Sequence, residues 1–262
     1  MILPNGTNPM DRFAKYGPSA IGSEAHSLYL KALATTEMSG LLSQVEAVHS
    51  PTMFHLLETA RMMAAILTAN VVDFDSAFKE DLVCAAALHD IAKPLCVDAA
   101  VLDKSDRPTG SEWEQITQHP HAGFRLLTEL RLAETAIMVA AHHELQPRPY
   151  ETEASRSQLF AEYGISERVL EADDNKLWIG TGLIAVADHF SSRDPRKIHQ
   201  RQYIGLGRRY PVSELAGLIR ADFVQAGRSQ ELGILPFLEK AIDIAQEVTY
   251  IDARYYPDDD AE

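Results

Sequence analysis

Residues 82–93 of the chain read LVCAAALHDIAK, and this stretch predicts a buried helix that ends in charged side chains. Its first seven residues are all apolar or small, which is typical of a helix inside a protein core. His89 and Asp90 follow directly, and a buried carboxylate is costly unless it is paired or binds a cation. Lys93 lies three residues beyond Asp90, so the two side chains would share a face of a continuing helix. A metal site and a helix end capped by a lysine both agree with this stretch taken alone.

Helical patterning covers most of the chain and indicates an all-α fold. Ser50 followed by Pro51 predicts a helix start, and the apolar pattern that follows runs to about Asn70. Ser111 and Glu114 have the spacing of a capping box at the start of a later helix. No stretch of alternating apolar and polar residues is long enough to predict a sheet.

Composition excludes several classes of partner and location. The 262 residues include 24 basic and 38 acidic side chains, for a net charge of −14. This charge argues against a nucleic-acid polymer or an anionic membrane as partner, because both are bound through lysine and arginine. Two cysteines cannot form a disulfide framework. No apolar run approaches the ~20 residues of a membrane span and no targeting segment is recognisable, so we expect a cytoplasmic protein.

Further histidines and an aspartate lie in or at the ends of apolar helices, as His89 and Asp90 do. They are His55, His119, His142, His143 and Asp188. Buried neutral imidazoles need partners for their ring nitrogens, and a shared metal ion supplies one. The pair His142-His143 would also fit the exposed end of a helix. His49 is an alternative to His55, although His55 lies deeper in its apolar helix.

Taken in order, these elements resemble the HD-domain metal-dependent phosphohydrolases, and most closely the HD-GYP branch of that superfamily. The matching elements are His55, His89-Asp90-Ile91-Ala92-Lys93, His119-Pro120-His121-Ala122-Gly123, His142-His143-Glu144 and Asp188. The resemblance covers about residues 50–200. It implies an all-α HD-domain helical bundle around a dinuclear metal site.

The resemblance also implies a role for each of these residues. One metal would be held by His55, His89, Asp90 and Asp188, and the other by Asp90, His119, His142 and His143. Such nitrogen and oxygen donors suit two transition-metal ions, iron or manganese ahead of zinc or nickel. Asp90 would be catalytic as the bridge between the ions, and Lys93 would stabilise charge on the phosphoryl oxygens.

The activity expected from the resemblance is that of a metal-dependent phosphohydrolase in signal transduction, with a phosphodiesterase preferred over a phosphomonoesterase. It would act on a small phosphorylated substrate, nucleotide-like or a cyclic (di)nucleotide, through a metal-bridging hydroxide. A basic stretch follows Asp188 in this acidic chain, and there Arg193, Arg196 and Lys197 are predicted to bind substrate phosphate together with Lys93. A solvated charged face is the alternative for this stretch.

Two departures from the HD-GYP pattern refine these expectations. The Gly-Tyr-Pro motif that names the branch is missing, since residues 145–150 read LQPRPY. Its loss leaves metal binding intact but weakens the case for cyclic di-GMP as the substrate. Pro51 stands where trinuclear members carry a glutamate, which favours two metals over three.

We expect three regions along the chain. They are an irregular or helical N-terminal extension at 1–40, the HD domain at 41–250 with an insertion at about 151–175, and an acidic tail at 251–262. A homodimer is compatible with this organisation.

Two other functions remain open at this stage. One is a mixed-valent di-iron oxygenase of the myo-inositol oxygenase type, and the other is a non-catalytic HD signalling module. The doublet His142-His143 favours the hydrolase over the oxygenase, and the full set of ligands disfavours the non-catalytic module.

Overall fold

The computed structural model of the chain describes residues 21–104, 108–146, 153–193 and 212–255. All the regular elements in these ranges are helical, which confirms the predicted all-α fold. The α-helices are α1 (Gly22–Leu33), α2 (Thr36–Val48), α3 (Ser50–Thr68), α4 (Ser76–Leu88), α5 (Lys93–Cys96), α6 (Ala99–Leu102), α7 (Gly110–Ile116), α8 (His119–Glu129), α9 (Ala133–Ala141), α10 (Glu153–Glu162), α11 (Ala172–Arg193), α12 (Val212–Ala226), α13 (Arg228–Glu231) and α14 (Leu235–Tyr255). A 3₁₀-helix, Glu167–Glu171, precedes α11.

Helix α3 lies at the centre of the bundle. It is buried along most of its length and packs against α1, α2, α4, α11 and α14. Its N-cap is His49, whose Nδ1 accepts a hydrogen bond from the backbone N–H of Thr52 at 3.2 Å. The predicted cap, Ser50, is therefore the first residue of the helix, with Pro51 directly after it. The apolar pattern located the helix correctly and missed its cap by one residue.

Helices α4 and α11 pack closely because a glycine lies between them. A Cβ atom on Gly180 would lie 2.6 Å from Cδ2 of Leu82 on α4 and 2.9 Å from Sδ of Met138 on α9. The bare backbone of α11 at this position thus lets three helices approach one another. This approach places the C-terminal half of α11 beside the ends of α4 and α9.

The segment after α4 contains two short helices. They are α5 and α6, which cover most of the stretch from Lys93 to Leu102. The capping box of α7 is formed by Thr109 and Glu112, two residues before the predicted pair of Ser111 and Glu114. The Glu112 carboxylate accepts from the Thr109 N–H at 2.6 Å and also forms an ion pair with Lys104.

The helices outside the central bundle share its core. Tyr29 and Leu33 of α1 are fully buried in the same apolar cluster as α3 and α4. Phe160 of α10, within the predicted insertion, stacks on Phe124 of α8 with ring centroids 5.2 Å apart. Among the helices of the described ranges, none is long and apolar enough to cross a membrane.

Candidate metal centre

All seven predicted metal ligands lie together inside the bundle, in two adjacent groups. The first group contains His55, His89 and Asp188, and the second contains Asp90, His119, His142 and His143. In each group the donor atoms all lie within 4.8 Å of one another, and every member is buried. These nitrogen and oxygen donors suit a transition-metal ion.

Helix ends place most of these side chains. His89 and Asp90 follow the last residue of α4, His119 is the first residue of α8, and the pair His142-His143 follows α9. His55 and Asp188 instead project from within the long helices α3 and α11. The predicted helix through Lys93 actually ends at Leu88, and a turn then carries His89 and Asp90 into the site.

Three of the histidines are oriented in the same way. In each, Nδ1 lies within hydrogen-bond distance of the backbone carbonyl oxygen three residues earlier. The pairs are His89 with Ala86 (2.8 Å), His119 with Ile116 (2.6 Å) and His142 with Val139 (2.6 Å). When Nδ1 donates its proton to the carbonyl, the neutral ring keeps a lone pair on Nε2, which is the form that binds a metal.

Asp90 lies between the two groups, and each of its oxygens faces one of them. Its Oδ1 is 2.9 Å from Nε2 of His119 and 3.7 Å from Nε2 of His142. Its Oδ2 is 3.5 Å from Nε2 of His55 and 3.4 Å from Nε2 of His89. A carboxylate in this position is placed to be shared between two cations.

The spacing of the donor atoms fits a metal ion as well. Nε2 of His55 lies 3.1 Å from Nε2 of His89 and 3.1 Å from Oδ1 of Asp188. In the second group, Nε2 of His119 lies 3.4 Å from Nε2 of His142. Donors bound at about 2.1 Å to one ion lie about 3.0 Å apart at right angles and about 3.4 Å apart at the tetrahedral angle. The donors are therefore already close to coordinating positions.

Burial and charge together favour the protonation states that bind metals. Burial lowers the pKa of His119 to about 4 and also lowers the pKa of His142 and of His143. Burial alone would raise the pKa of Asp90, but the charges of Lys93 and His89 hold it well below its usual range. The second group thus presents neutral imidazoles and an ionised carboxylate near neutral pH.

His89 differs from the other buried histidines because it faces two carboxylates. Burial opposes its charge, yet Asp90 and Asp188 outweigh burial and raise the pKa of His89 to about 10. In the metal-free protein the protonated ring of His89 therefore supplies the positive charge between these two carboxylates. A metal ion entering the first group would displace that proton.

A sequence model of the HD domain matches residues 52–193, which is more than half of the chain. The chain belongs to the HD-domain family. No curated protein and no solved structure matches the chain. HD domains are generally metal-dependent hydrolases. All seven clustered residues of this HD-domain protein lie within the matched segment.

Lys93 lies beside the carboxylate of Asp90, although a turn brings the two together and not the continuing helix that the spacing predicted. It is the first residue of α5, its Nζ forms an ion pair with Oδ2 of Asp90, and 12% of its side chain is exposed. The predicted phosphate-binding residues are described less completely. Arg193 is the last residue of α11, and the structure describes its backbone only. Arg196 and Lys197 lie outside the described residues.

His49, the alternative first ligand, lies outside both groups. Its Nδ1 lies 2.7 Å from Oγ1 of Thr52, and its Nε2 lies 3.1 Å from Oδ1 of Asp103. These contacts give it a structural role at the start of α3. His55, six residues further along, is the histidine that reaches the site.

Three residues that support the ligands were missed at the sequence level. Oγ of Ser191 lies 2.9 Å from Nδ1 of His55 and 2.6 Å from Oγ1 of Thr59, and Nε2 of Gln146 lies 2.8 Å from Nδ1 of His143. Each lies three or four residues after a ligand, which is the spacing of neighbours on one helical face. A search for polar side chains at this spacing would have found these residues as candidates, but the contact between Ser191 and His55 follows only from helix packing.

Proposed function

We propose that this HD-domain protein is a dinuclear metal-dependent phosphodiesterase that acts on a nucleotide-like or cyclic (di)nucleotide substrate. The observation that carries the proposal is the position of Asp90, with one oxygen toward each group of donors. A single shared carboxylate between two sets of histidines is an arrangement suited to two adjacent ions.

The donors divide naturally between two ions. His55, His89 and Asp188 would hold one ion, while His119, His142 and His143 would hold the other, and Asp90 would contribute to both. When bound, such ions act as Lewis acids that lower the pKa of a water and polarise phosphoryl oxygens. The mixture of imidazole and carboxylate favours iron or manganese, with zinc or nickel next.

Lys93 supplies a positive charge at the edge of the site. Its ammonium group is held next to Asp90 and 12% of its side chain is exposed, so we expect a substrate oxygen to approach it. Charge that develops on the phosphoryl group would be stabilised there. We assign the same kind of role to Arg193, Arg196 and Lys197, because a basic stretch in an acidic chain attracts a small anion.

The family resemblance favours the HD-GYP branch, while residues 145–150 lack its Gly-Tyr-Pro motif. We therefore propose a small phosphorylated substrate, with cyclic di-GMP as one member of the class to be tested. The net charge of −14 supports neither a nucleic-acid polymer nor a membrane as the partner.

Metal analysis combined with a substrate panel tests the proposal. The wild type should contain up to two transition-metal ions per chain and should hydrolyse a model phosphodiester or a cyclic dinucleotide. Asp90→Ala should lose both properties, because both groups lose a donor. Asp103→Ala is the matched control, since this aspartate is exposed and pairs with His49 outside the site.

The other outcomes identify the other functions. Oxygen consumption at an Fe(II)/Fe(III) centre without hydrolysis would replace the proposal with an oxygenase. A chain that retains no metal when purified without chelator would be a non-catalytic module. Equal hydrolysis by Asp90→Ala and the wild type would also contradict the proposal.

A further inference from the structure

An arginine outside the ligand set is buried and pairs with the residue that directly follows the two adjacent histidines of the second group. Arg156 belongs to α10, in the segment predicted as an insertion, and only 1% of its side chain is exposed. It forms an ion pair with the carboxylate of Glu144, of which 11% is exposed. A buried guanidinium is uncommon because its desolvation is costly unless a partner compensates it.

Glu144 directly follows the two adjacent histidines, in the turn at the end of α9. The N–H of Glu144 donates to the carbonyl oxygen of Ala141 at 2.9 Å, and the N–H of Gln146 donates to that of His143 at 3.3 Å. In the same turn, Nδ1 of His143 contacts the Gln146 side chain. The direction of His143 therefore depends on the conformation of this turn, and the turn is anchored at Glu144.

The other side of the arginine faces aromatic rings. The guanidinium carbon of Arg156 lies 5.4 Å from the centre of the Trp178 ring and 6.0 Å from that of Phe160. Trp178 is 1% exposed and lies on α11, the helix that carries Asp188 ten residues later. Arg156 thus connects the turn of the second group to the helix that supplies Asp188 to the first.

We propose that Arg156 is a positioning residue that sets the metal affinity of the second group through Glu144. The inference rests on the proposed function, because it requires ions to bind at these donors. Partners that orient metal ligands in this indirect way change metal affinity by about 10- to 100-fold when they are removed. The segment predicted as an insertion would then be part of the metal site rather than a surface addition.

The competing explanation is a purely structural role, in which Arg156 only packs against the ring of Trp178. Arg228 provides a matched control for it. Its guanidinium carbon lies 5.5 Å from the Trp178 ring, the same distance to within 0.1 Å, but its ion pair is with Glu231 on its own helix. Arg228→Met therefore removes a contact with Trp178 and leaves Glu144 untouched.

The test is a Mn²⁺ titration of metal-free full-length protein, read by the amount of free Mn²⁺ in electron paramagnetic resonance. The wild type should bind two ions. Arg156→Met and Glu144→Gln should each weaken one of the two by about 10- to 100-fold. Arg156→Lys should recover part of the loss, and Arg228→Met should bind both ions as the wild type does.

The double variant Arg156→Met/Glu144→Gln separates positioning from stability. It leaves no unpaired buried charge, so its unfolding midpoint should recover relative to Arg156→Met, while the weakened ion should stay weak. Recovery of both properties would overturn the inference, as would wild-type binding by Arg156→Met or an equal loss in Arg228→Met. Fewer than two ions bound by the wild type would instead overturn the proposed function, and this inference with it.

Discussion

Replacing Ser191 by alanine should weaken metal binding at the first group of donors and should also destabilise the protein. In the tautomer of His55 that leaves Nε2 available, Nδ1–H donates to Oγ of Ser191 at 2.9 Å. Ser191 then donates to Oγ1 of Thr59 at 2.6 Å, and Thr59 donates to the backbone carbonyl of His55 at 2.9 Å. This closed chain of donors orients a ligand and fixes its protonated nitrogen.

The size of the effect follows from the two hydrogen bonds that Ser191→Ala removes. At about 1 kcal/mol each, they amount to about 2 kcal/mol of unfolding free energy. For a chain of this size that corresponds to a fall of about 4–8 °C in the unfolding midpoint. The affinity of the first ion should fall by about 10- to 100-fold, because a ligand loses its orienting partner.

Ser192→Ala is the matched control for this experiment. Oγ of Ser192 contacts the backbone carbonyl oxygen of His189 at 3.4 Å, and His189 belongs to neither group of donors. Thermal unfolding of the metal-free proteins measures the stability effect, and competition with a chelator measures the affinity. If Ser191→Ala binds metal as tightly as Ser192→Ala does, the reasoning about the donor chain is wrong.

Three further predictions concern catalysis, pH and packing. Lys93→Met should lower the turnover of a phosphodiester by about 10²–10³-fold with unchanged metal content, and undiminished turnover would remove Lys93 from the mechanism. In metal-free protein, burial lowers the pKa of His119 to about 4, so the unfolded chain takes up a proton first as the pH falls. Urea unfolding should then show stability lost from pH 6.5 to pH 4, by up to about 3 kcal/mol from this residue, whereas a flat profile would contradict its burial as a neutral ring. Gly180→Ala should cost about 1–3 kcal/mol in urea unfolding, because its new methyl meets a leucine methyl at 2.6 Å. Gly217→Ala, with nothing within 4 Å, should be neutral or stabilising, and equal costs for both would exclude close packing as the cause.

Much of the fold could be predicted because helix formation depends on residues that are close together in the sequence. The helices α3, α4 and α11 are apolar on most of their faces, which is typical of buried helices, and Pro51 marks where α3 begins. Helix caps were predicted less well. The cap of α3 is a histidine and the capping box of α7 begins two residues early, because several nearby polar residues can satisfy the same backbone groups.

The set of clustered donors could be predicted for a related reason. A histidine or aspartate in or at the end of an apolar helix carries a desolvation cost, which can be recognised from the apolar residues on either side of it. Three of the ring orientations are also local, because each Nδ1 faces a carbonyl oxygen only three residues away. The identity and order of the donors therefore required no tertiary information.

The supporting contacts could not be predicted in the same way. Ser191 and His55 are separated by 136 positions in the chain, and the ion pair between Arg156 and Glu144 joins α10 to the turn that follows α9. Which polar side chains meet between helices depends on how each helix is rotated and how closely it packs.

The sequence by itself therefore determined the all-helical class, the family resemblance and the seven clustered donors. Each of these can be recognised from short local patterns of residues. Only the tertiary structure decided that Ser191 meets His55 and that Arg156 pairs with Glu144, whereas the position of Asp90 between the two groups was already implied by the family resemblance. The physical reason is that the desolvation cost of a buried polar side chain can be recognised from the residue and its apolar neighbours in sequence. The contacts that offset this cost come from side chains that only helix packing brings together.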